Sequence, residues 1–257
     1  MKYFYLSYFG YLLEFIVPFK AGRWARTITK IFLSKFQGYL LIAPTRKADL
    51  TIEFIGKKES KHKELNSSTY IYVVPLIGDR LNSVLFGQLF KEAFLGAMLE
   101  ISSKSGSLCL HASSVAYGDR AIIFSGMSGA GKSTISSLIS PPFTQLTDDL
   151  SFLIYQDHWK TAQLPIFEKR LPPQFRSSKE YIVKCICFIK QSNKNQIIEI
   201  MENTEKLQLL MKNLVYSGTR AELKNSKLVI ESKIHIMCLE FENNHSVSQL
   251  LMEKLFI

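Results

Sequence analysis

Residues Gly126-Met127-Ser128-Gly129-Ala130-Gly131-Lys132-Ser133 complete a G-x-x-x-x-G-K-[ST] pattern, followed by Thr134 and, a short way on, by the carboxylate pair Asp148-Asp149. Glycines at this spacing let backbone N–H groups converge on phosphate oxygens at a helix N-terminus. Lys132 would neutralise the terminal phosphates, and the Ser133 hydroxyl would ligate Mg²⁺, so ATP and Mg²⁺ are the expected ligands. The context fits, because the apolar run "AIIF" precedes the loop and "STISSLI" opens a helix after it. Two adjacent carboxylates beside such a nucleotide can divide labour, one as a metal-side charge and the other taking the proton of an acceptor hydroxyl. The alternative is a turn or helix-capping pair. In ordinary hydrolases with this loop the acidic group ends a continuous apolar run. Here "PPFTQLT" precedes it, which places the pair at the next short strand or turn.

Those residues need a scaffold. "LCLHASSVAYGDRAIIFSG" reads as two strands joined at Tyr117-Gly118-Asp119-Arg120, so the strand entering the glycine loop is one arm of a hairpin and the sheet is mixed. "LSFLIYQDHWKTAQL" reads as a second hairpin turning at Gln156-Asp157-His158. "YIVKCICFIK" and "QIIEI" read as a third around "QSNKN". "TEKLQLLMKNLVY" predicts a helix capped near Asn203 or Thr204, "IHIMCLEF" a strand, and "SVSQLLMEKLF" a closing helix capped by Ser246. Upstream, "ADLTIEFIG" and "YIYVVPLI" read as strands flanking the charged "KKESKHKELNSST". Leu81, Val84, Leu85, Leu89, Phe90, Phe94 and Met98 give the period of a long helix over 79–102. The expected division is a small N-terminal α/β region, 1–105, and a core, 106–257.

The chain has 257 residues and is 47% hydrophobic, ample for a packed interior. Its net charge of +10 suits acidic ligands or partners. Cys109, Cys185, Cys187 and Cys238 lack Cys-x-x-Cys spacing, and Cys185 and Cys187 alternate as same-face strand residues, so they read as buried thiols in a reducing cytoplasm. The opening "MKYFYLSYFGYLLEFIVPF" is broken by Glu14 and Pro18, short of the roughly 20 apolar residues that span a bilayer, and lacks a secretory cleavage pattern. From Lys20 to Lys47 basic residues alternate with Trp24, Ile28, Ile31, Phe32 and Phe36. The spacing points to a helix packing its aromatic face on its own domain. The other reading is a basic amphipathic helix on a membrane or an acidic partner.

"LHASSVAYGDRAIIFSGMSGAGKST" followed by "LTDD" resembles the HPr kinase/phosphorylase family over about Leu108 to Asp149. The likeness is greater to its divergent, shorter branch, some members of which resemble enzymes that phosphorylate ribosomally made, lasso-type precursor peptides. The resemblance implies a mixed-sheet P-loop kinase core related to phosphoenolpyruvate carboxykinase, and phosphorylation of a serine hydroxyl with ATP and Mg²⁺. It makes His111 a residue near the acceptor and the phosphates, although a lone histidine at such a place would otherwise read as structural. It makes Asp148 the base, and Asp149 a metal-side or phosphate-side partner. It gives Gly126, Ser128, Gly129, Ala130, Gly131, Lys132, Ser133 and Thr134 nucleotide binding, with Ser133 and Asp149 toward the metal. The Glu-Ile-Arg-Gly segment and basic C-terminal motif of the full-length enzymes are missing, so HPr is not the expected acceptor. Glu168 is a candidate second metal-side carboxylate, and Lys169, Arg170 and Arg176 in "LPIFEKRLPPQFRSSKE" are candidates to clamp a phosphate or peptide carboxylate.

The sequence thus predicts a cytoplasmic kinase for a serine on a peptide or small protein, with free serine as another acceptor. The competing class is a nucleotide-gated binding or assembly protein without transfer activity. No nucleic-acid partner is expected, and oligomerisation stays open.

Overall fold

The computed structural model describes residues 2–17, 22–36, 38–41, 44–56, 69–74, 76–77, 80–81, 83–101, 106–139, 141–165, 177–215, 220–232 and 234–257. The charged connector at 57–68, and Glu168, Lys169, Arg170 and Arg176, lie outside them. The chain divides into one unit of Met1–Ile101 with Pro165–Ser178 and a second of Ser102–Leu164 with Lys179–Ile257.

The first unit opens with β1 (Lys2–Tyr8) and β2 (Tyr11–Val17), an antiparallel hairpin whose turn residues Phe9 and Gly10 both take positive φ, 51° and 74°. Two left-handed residues match the twist of the flanking strands. There follow α1 (Gly22–Lys35), β3 (Leu40–Leu41), β4 (Leu50–Gly56), β5 (Thr69–Val74), the short ribbon β6 (Leu76–Ile77) and β7 (Arg80–Leu81), and α2 (Ser83–Ile101). The sheet order is β3-β1-β2-β4-β5, antiparallel around β1 and parallel from β2 to β5. Helix α1 packs the aromatic face of the basic segment inward. Ala25, Ile28 and Phe32, with Phe36 just beyond, are buried at helical spacing, while Arg26, Lys30 and Leu33 are exposed. Phe32 stacks on Phe4 at 4.6 Å and Phe36 on Phe90 of α2 at 4.5 Å, with Phe15 and Phe54 in the same cluster. That apolar face is therefore taken up by the unit's own core. Among the described residues no helix is long and apolar enough to cross a membrane.

The second unit contains β8 (Ser107–Tyr117), β9 (Arg120–Ser125), α3 (Lys132–Leu138), β10 (Thr144–Thr147), β11 (Leu150–Tyr155), β12 (Trp159–Ala162), β13 (Glu180–Gln191), β14 (Gln196–Glu199), α4 (Asn203–Lys212), α5 (Arg220–Glu231), β15 (His235–Phe241) and α6 (Ser246–Leu255). Its sheet is mixed. β9, β13 and β15 run parallel, whereas β8, β10, β11, β12 and β14 pair antiparallel. Both faces are covered. Ile122, Phe124, Cys187, Leu239 and Phe241 pack with Ile135, Ile139, Val247 and Leu251 of α3 and α6 on one side. Leu110, Ile123, Ile186 and Ile236 pack with Leu210 and Val229 of α4 and α5 on the other.

Several local expectations are corrected. β13 and β14 do not form a hairpin, because β15 lies between them, parallel to β13 and antiparallel to β14. β15 sends Met237, Leu239 and Phe241 to one core and Ile236 and Cys238 to the other, as a central strand must. The "QSNKN" connection is tied to its end, with Ser192 N–H donating to the Phe241 carbonyl at 2.9 Å and Glu242 N–H to Asn195 Oδ1 at 2.8 Å. The N-cap of α4 is Glu202, one residue before Asn203. Ser246 is the first residue of α6 rather than its cap, and its N–H donates to Asn244 Oδ1. Helix α5 was not expected at all. All four cysteines are free; Cys185 and Cys187 are fully buried with sulfurs 3.7 Å apart, and that contact together with burial pushes the Cys187 thiol well up.

Candidate functional site

The glycine loop leaves the end of β9 and enters α3 at Lys132. Gly131 takes φ 97°, and a Cβ there would lie 2.8 Å from Phe241 Cζ and 2.9 Å from Gln191 Nε2, so only glycine lets the loop close over the ends of β13 and β15. Gly129, at φ 83°, turns the loop through open space. Met127 and Ser128 are exposed at its tip, while Ala130, Ser133 and Thr134 are half-buried. Lys132 is half-buried, and its Nζ donates to the carbonyls of Gly126, at 2.6 Å, and Met127, at 3.1 Å. Burial lowers its pKa, and the nearby negative charge of Asp149 acts in the opposite direction. The lysine carbonyl is held in turn by the hydroxyls of Ser113 on β8, at 2.9 Å, and Ser136, at 3.0 Å.

Strand β8 is the ruler that brings the other groups here. β10 and β11 both pair with it, end to end, with Thr147 opposite Ser114 and Leu150 opposite His111. Asp148 and Asp149 occupy the break between them, and Ala112 N–H donates to the Asp149 carbonyl at 3.1 Å. On its other edge β8 pairs with β9, whose last residue, Ser125, faces Ala112 and donates its hydroxyl to the His111 carbonyl at 3.0 Å. Where β9 departs into the loop, Asn213 takes over that edge, its carbonyl accepting from His111 N–H at 2.8 Å. His111 is thus an exposed side chain on a backbone fixed from both edges. Asp148 is half-buried and Asp149 exposed.

The expected residues therefore meet at one place: Gly126 to Thr134 in the loop and first helical turn, His111 on β8, and the aspartates one strand further along. Glu168, Lys169, Arg170 and Arg176 are not placed by the described residues. Sequence reasoning missed Ser113, which anchors the lysine peptide, and Gln191, whose side chain packs on Gly131. The signal for Ser113 was the buried polar pair Ser113-Ser114 inside β8; Gln191 carried none.

Among the described residues no group of three or more His, Cys, Asp or Glu side chains is arranged to hold a metal ion by itself. The donors near Lys132 are the Ser133 hydroxyl and the Asp149 carboxylate, hard oxygens of the kind Mg²⁺ takes when it keeps several waters and shares phosphate oxygens. That donor set fits Mg²⁺ brought with a nucleotide, and not a metal caged by protein alone.

Fold and site together define an α/β protein with two mixed sheets, in which a strand, a glycine loop and a helix face an aspartate turn. Residues 89–243, more than half of the chain, match the family described as SynChlorMet cassette protein ScmC, and the chain belongs to that family. No curated protein matches. Among solved structures, the Hpr(Ser) kinase/phosphatase from Coxiella burnetii aligns at 14% identity over 56% of this chain and 91% of that one, with a TM-score of 0.32.

Proposed function

We propose that this protein is an ATP- and Mg²⁺-dependent phosphotransferase that phosphorylates a serine hydroxyl on a peptide or small protein, built on a P-loop kinase core. One observation carries the reading: β8 sets the Asp148-Asp149 break against the root of a complete G-x-x-x-x-G-K-S loop, with Asp149 within electrostatic reach of Lys132. A loop that bound nucleotide only to shape a surface would have no use for a second carboxylate and an exposed histidine at that root.

In this reading bound Mg²⁺ neutralises charge on the transferring phosphates. The loop N–H groups and Lys132 bind the nucleotide phosphates and stabilise charge spreading over the moving group. Ser133 and Asp149 hold the ion. Asp148, half-buried, takes the proton from the acceptor serine Oγ, and His111 lies beside the acceptor. On the first unit Lys2, Arg26, Thr29, Lys30 and Leu33 line an open, shallow depression whose three cations suit an acidic segment. The family's description as a cassette protein supports seeking the acceptor among products encoded beside it.

The test is a mass assay of serine-bearing peptides found encoded beside this chain, with full-length protein, ATP and Mg²⁺. The expected product carries one or more added phosphates. Asp148→Asn should lower the rate about 10²–10⁴-fold while nucleotide binding persists; transfer at the wild-type rate would refute the base.

A further inference from the structure

Three fully buried hydroxyls straddle the aspartate turn. Thr147 directly precedes it, Ser151 lies just beyond it on β11, and Ser114 faces Thr147 across β8. Thr147 Oγ1 is 2.8 Å from Ser114 Oγ and 3.0 Å from Ser151 Oγ, and Ser151 Oγ donates to the Ala112 carbonyl at 3.2 Å. That last bond sets the polarity of the chain, because a hydroxyl has one proton to give. Ser151 gives its own to Ala112, so Thr147 donates to Ser151 and Ser114 donates to Thr147. On the same edge of β8, Ala112 N–H donates to the Asp149 carbonyl. The strand before the turn and the strand after it are thereby tied to one residue of β8.

Packing alone does not call for this. A valine would fill the place of Thr147 at the same volume, and each hydroxyl had to leave water to be here. What the chain adds is geometry: its members satisfy one another only in this register, so a slip of the turn would strand buried hydroxyls without partners. We infer that Thr147 is a positioning residue, the hub of a hydroxyl chain that holds Asp148 and Asp149 in place for a Mg²⁺-nucleotide. This rests on the phosphotransferase reading above.

The test uses the full chain with Thr147→Val, Thr147→Ser and Ser151→Ala, and the probes are ATP with and without Mg²⁺. Two quantities are read: amide hydrogen exchange across residues 146–151 and at Ala112, without ligand, and the gain in ATP affinity produced by Mg²⁺. Thr147→Val should speed exchange there and cut the Mg²⁺-dependent gain about tenfold, in the range of lost outer-shell support for a metal ligand, with Mg²⁺-free ATP binding unchanged. Ser151→Ala should do the same more weakly, and Thr147→Ser should restore both. Wild-type exchange in Thr147→Val overturns the tether, and faster exchange with an intact Mg²⁺ gain overturns its role toward the carboxylates. Absence of any Mg²⁺ gain in the wild type is a different result, which overturns the phosphotransferase reading itself.

Discussion

In the proposed phosphotransferase, Lys132 carries a conflict between folding and nucleotide binding. Its ammonium is partly desolvated, and that lowers its pKa against the countering charge of Asp149. A lysine whose folded pKa lies below its unfolded one opposes folding: the penalty is complete below the folded pKa and is relieved as pH rises through that value toward the ordinary lysine range. At neutral pH the residue therefore costs stability, although its bonds to the Gly126 and Met127 carbonyls offset part of this. Lys132→Met should melt no lower than wild type at pH 7 while losing ATP affinity about 10–100-fold, as expected for removing a charged hydrogen bond worth about 1.5–3 kcal/mol. Thermal melting and titration calorimetry check both halves. A large fall in melting temperature would make Lys132 a structural residue first.

At the scale of elements, the first unit depends on rings. Phe90 lies at the centre of the contacts that join α2 to α1 and the sheet, touching Phe15, Phe32, Phe36, Phe86 and Phe94. Phe90→Ala should destabilise this unit by about 3–5 kcal/mol, measured by denaturant unfolding. A smaller clasp holds the hairpin turn to the start of β4. Asp49 accepts from Leu12 N–H at 2.7 Å and from Arg46, which also donates to the Gly10 carbonyl at 2.7 Å. The Arg46 hydrogen bond holds the Asp49 carboxyl below its ordinary pKa. A depressed carboxyl stabilises above its unfolded pKa and loses that contribution as pH falls through the folded one. Asp49→Asn should therefore melt lower than wild type at pH 7, by about 1 kcal/mol in stability, with the difference closing below about pH 4; an equal gap at pH 3 would contradict the clasp.

Elements also show what was legible beforehand. Alternation and turn chemistry disclosed the β8–β9 hairpin, and the pattern around Gly131 disclosed the loop, because both are local. Helix α5 was hidden because its buried face carries Glu222, Asn225 and Ser226 with Val229 as its one apolar member, so no apolar stripe marks it; Asn225 instead donates to the Ser107 carbonyl at 2.9 Å. The separation of β13 from β14 was hidden for another reason: two runs joined by a short polar turn look like a hairpin until a strand forty residues on is known to enter between them. At the site, the residue types could be read from the chain. The end-to-end pairing of β10 and β11 on β8, which makes the aspartates neighbours of the loop, could not.

At the scale of the molecule, the chain is an α/β protein of the ScmC family, with a basic balance and a site assembled within its second unit. A phosphate loop alone would serve a hydrolase equally well, and the proposed phosphotransferase differs in Asp148 serving a serine rather than water. The direct measurement follows the label of γ-labelled ATP, with Mg²⁺ and each serine-bearing peptide found encoded beside this chain, in wild type and Asp148→Asn. Wild type should give labelled phosphoserine and ADP, and Asp148→Asn should bind the nucleotide without passing on its γ-phosphoryl group. Label released only as inorganic phosphate, at equal rates from both proteins, would contradict transfer to serine.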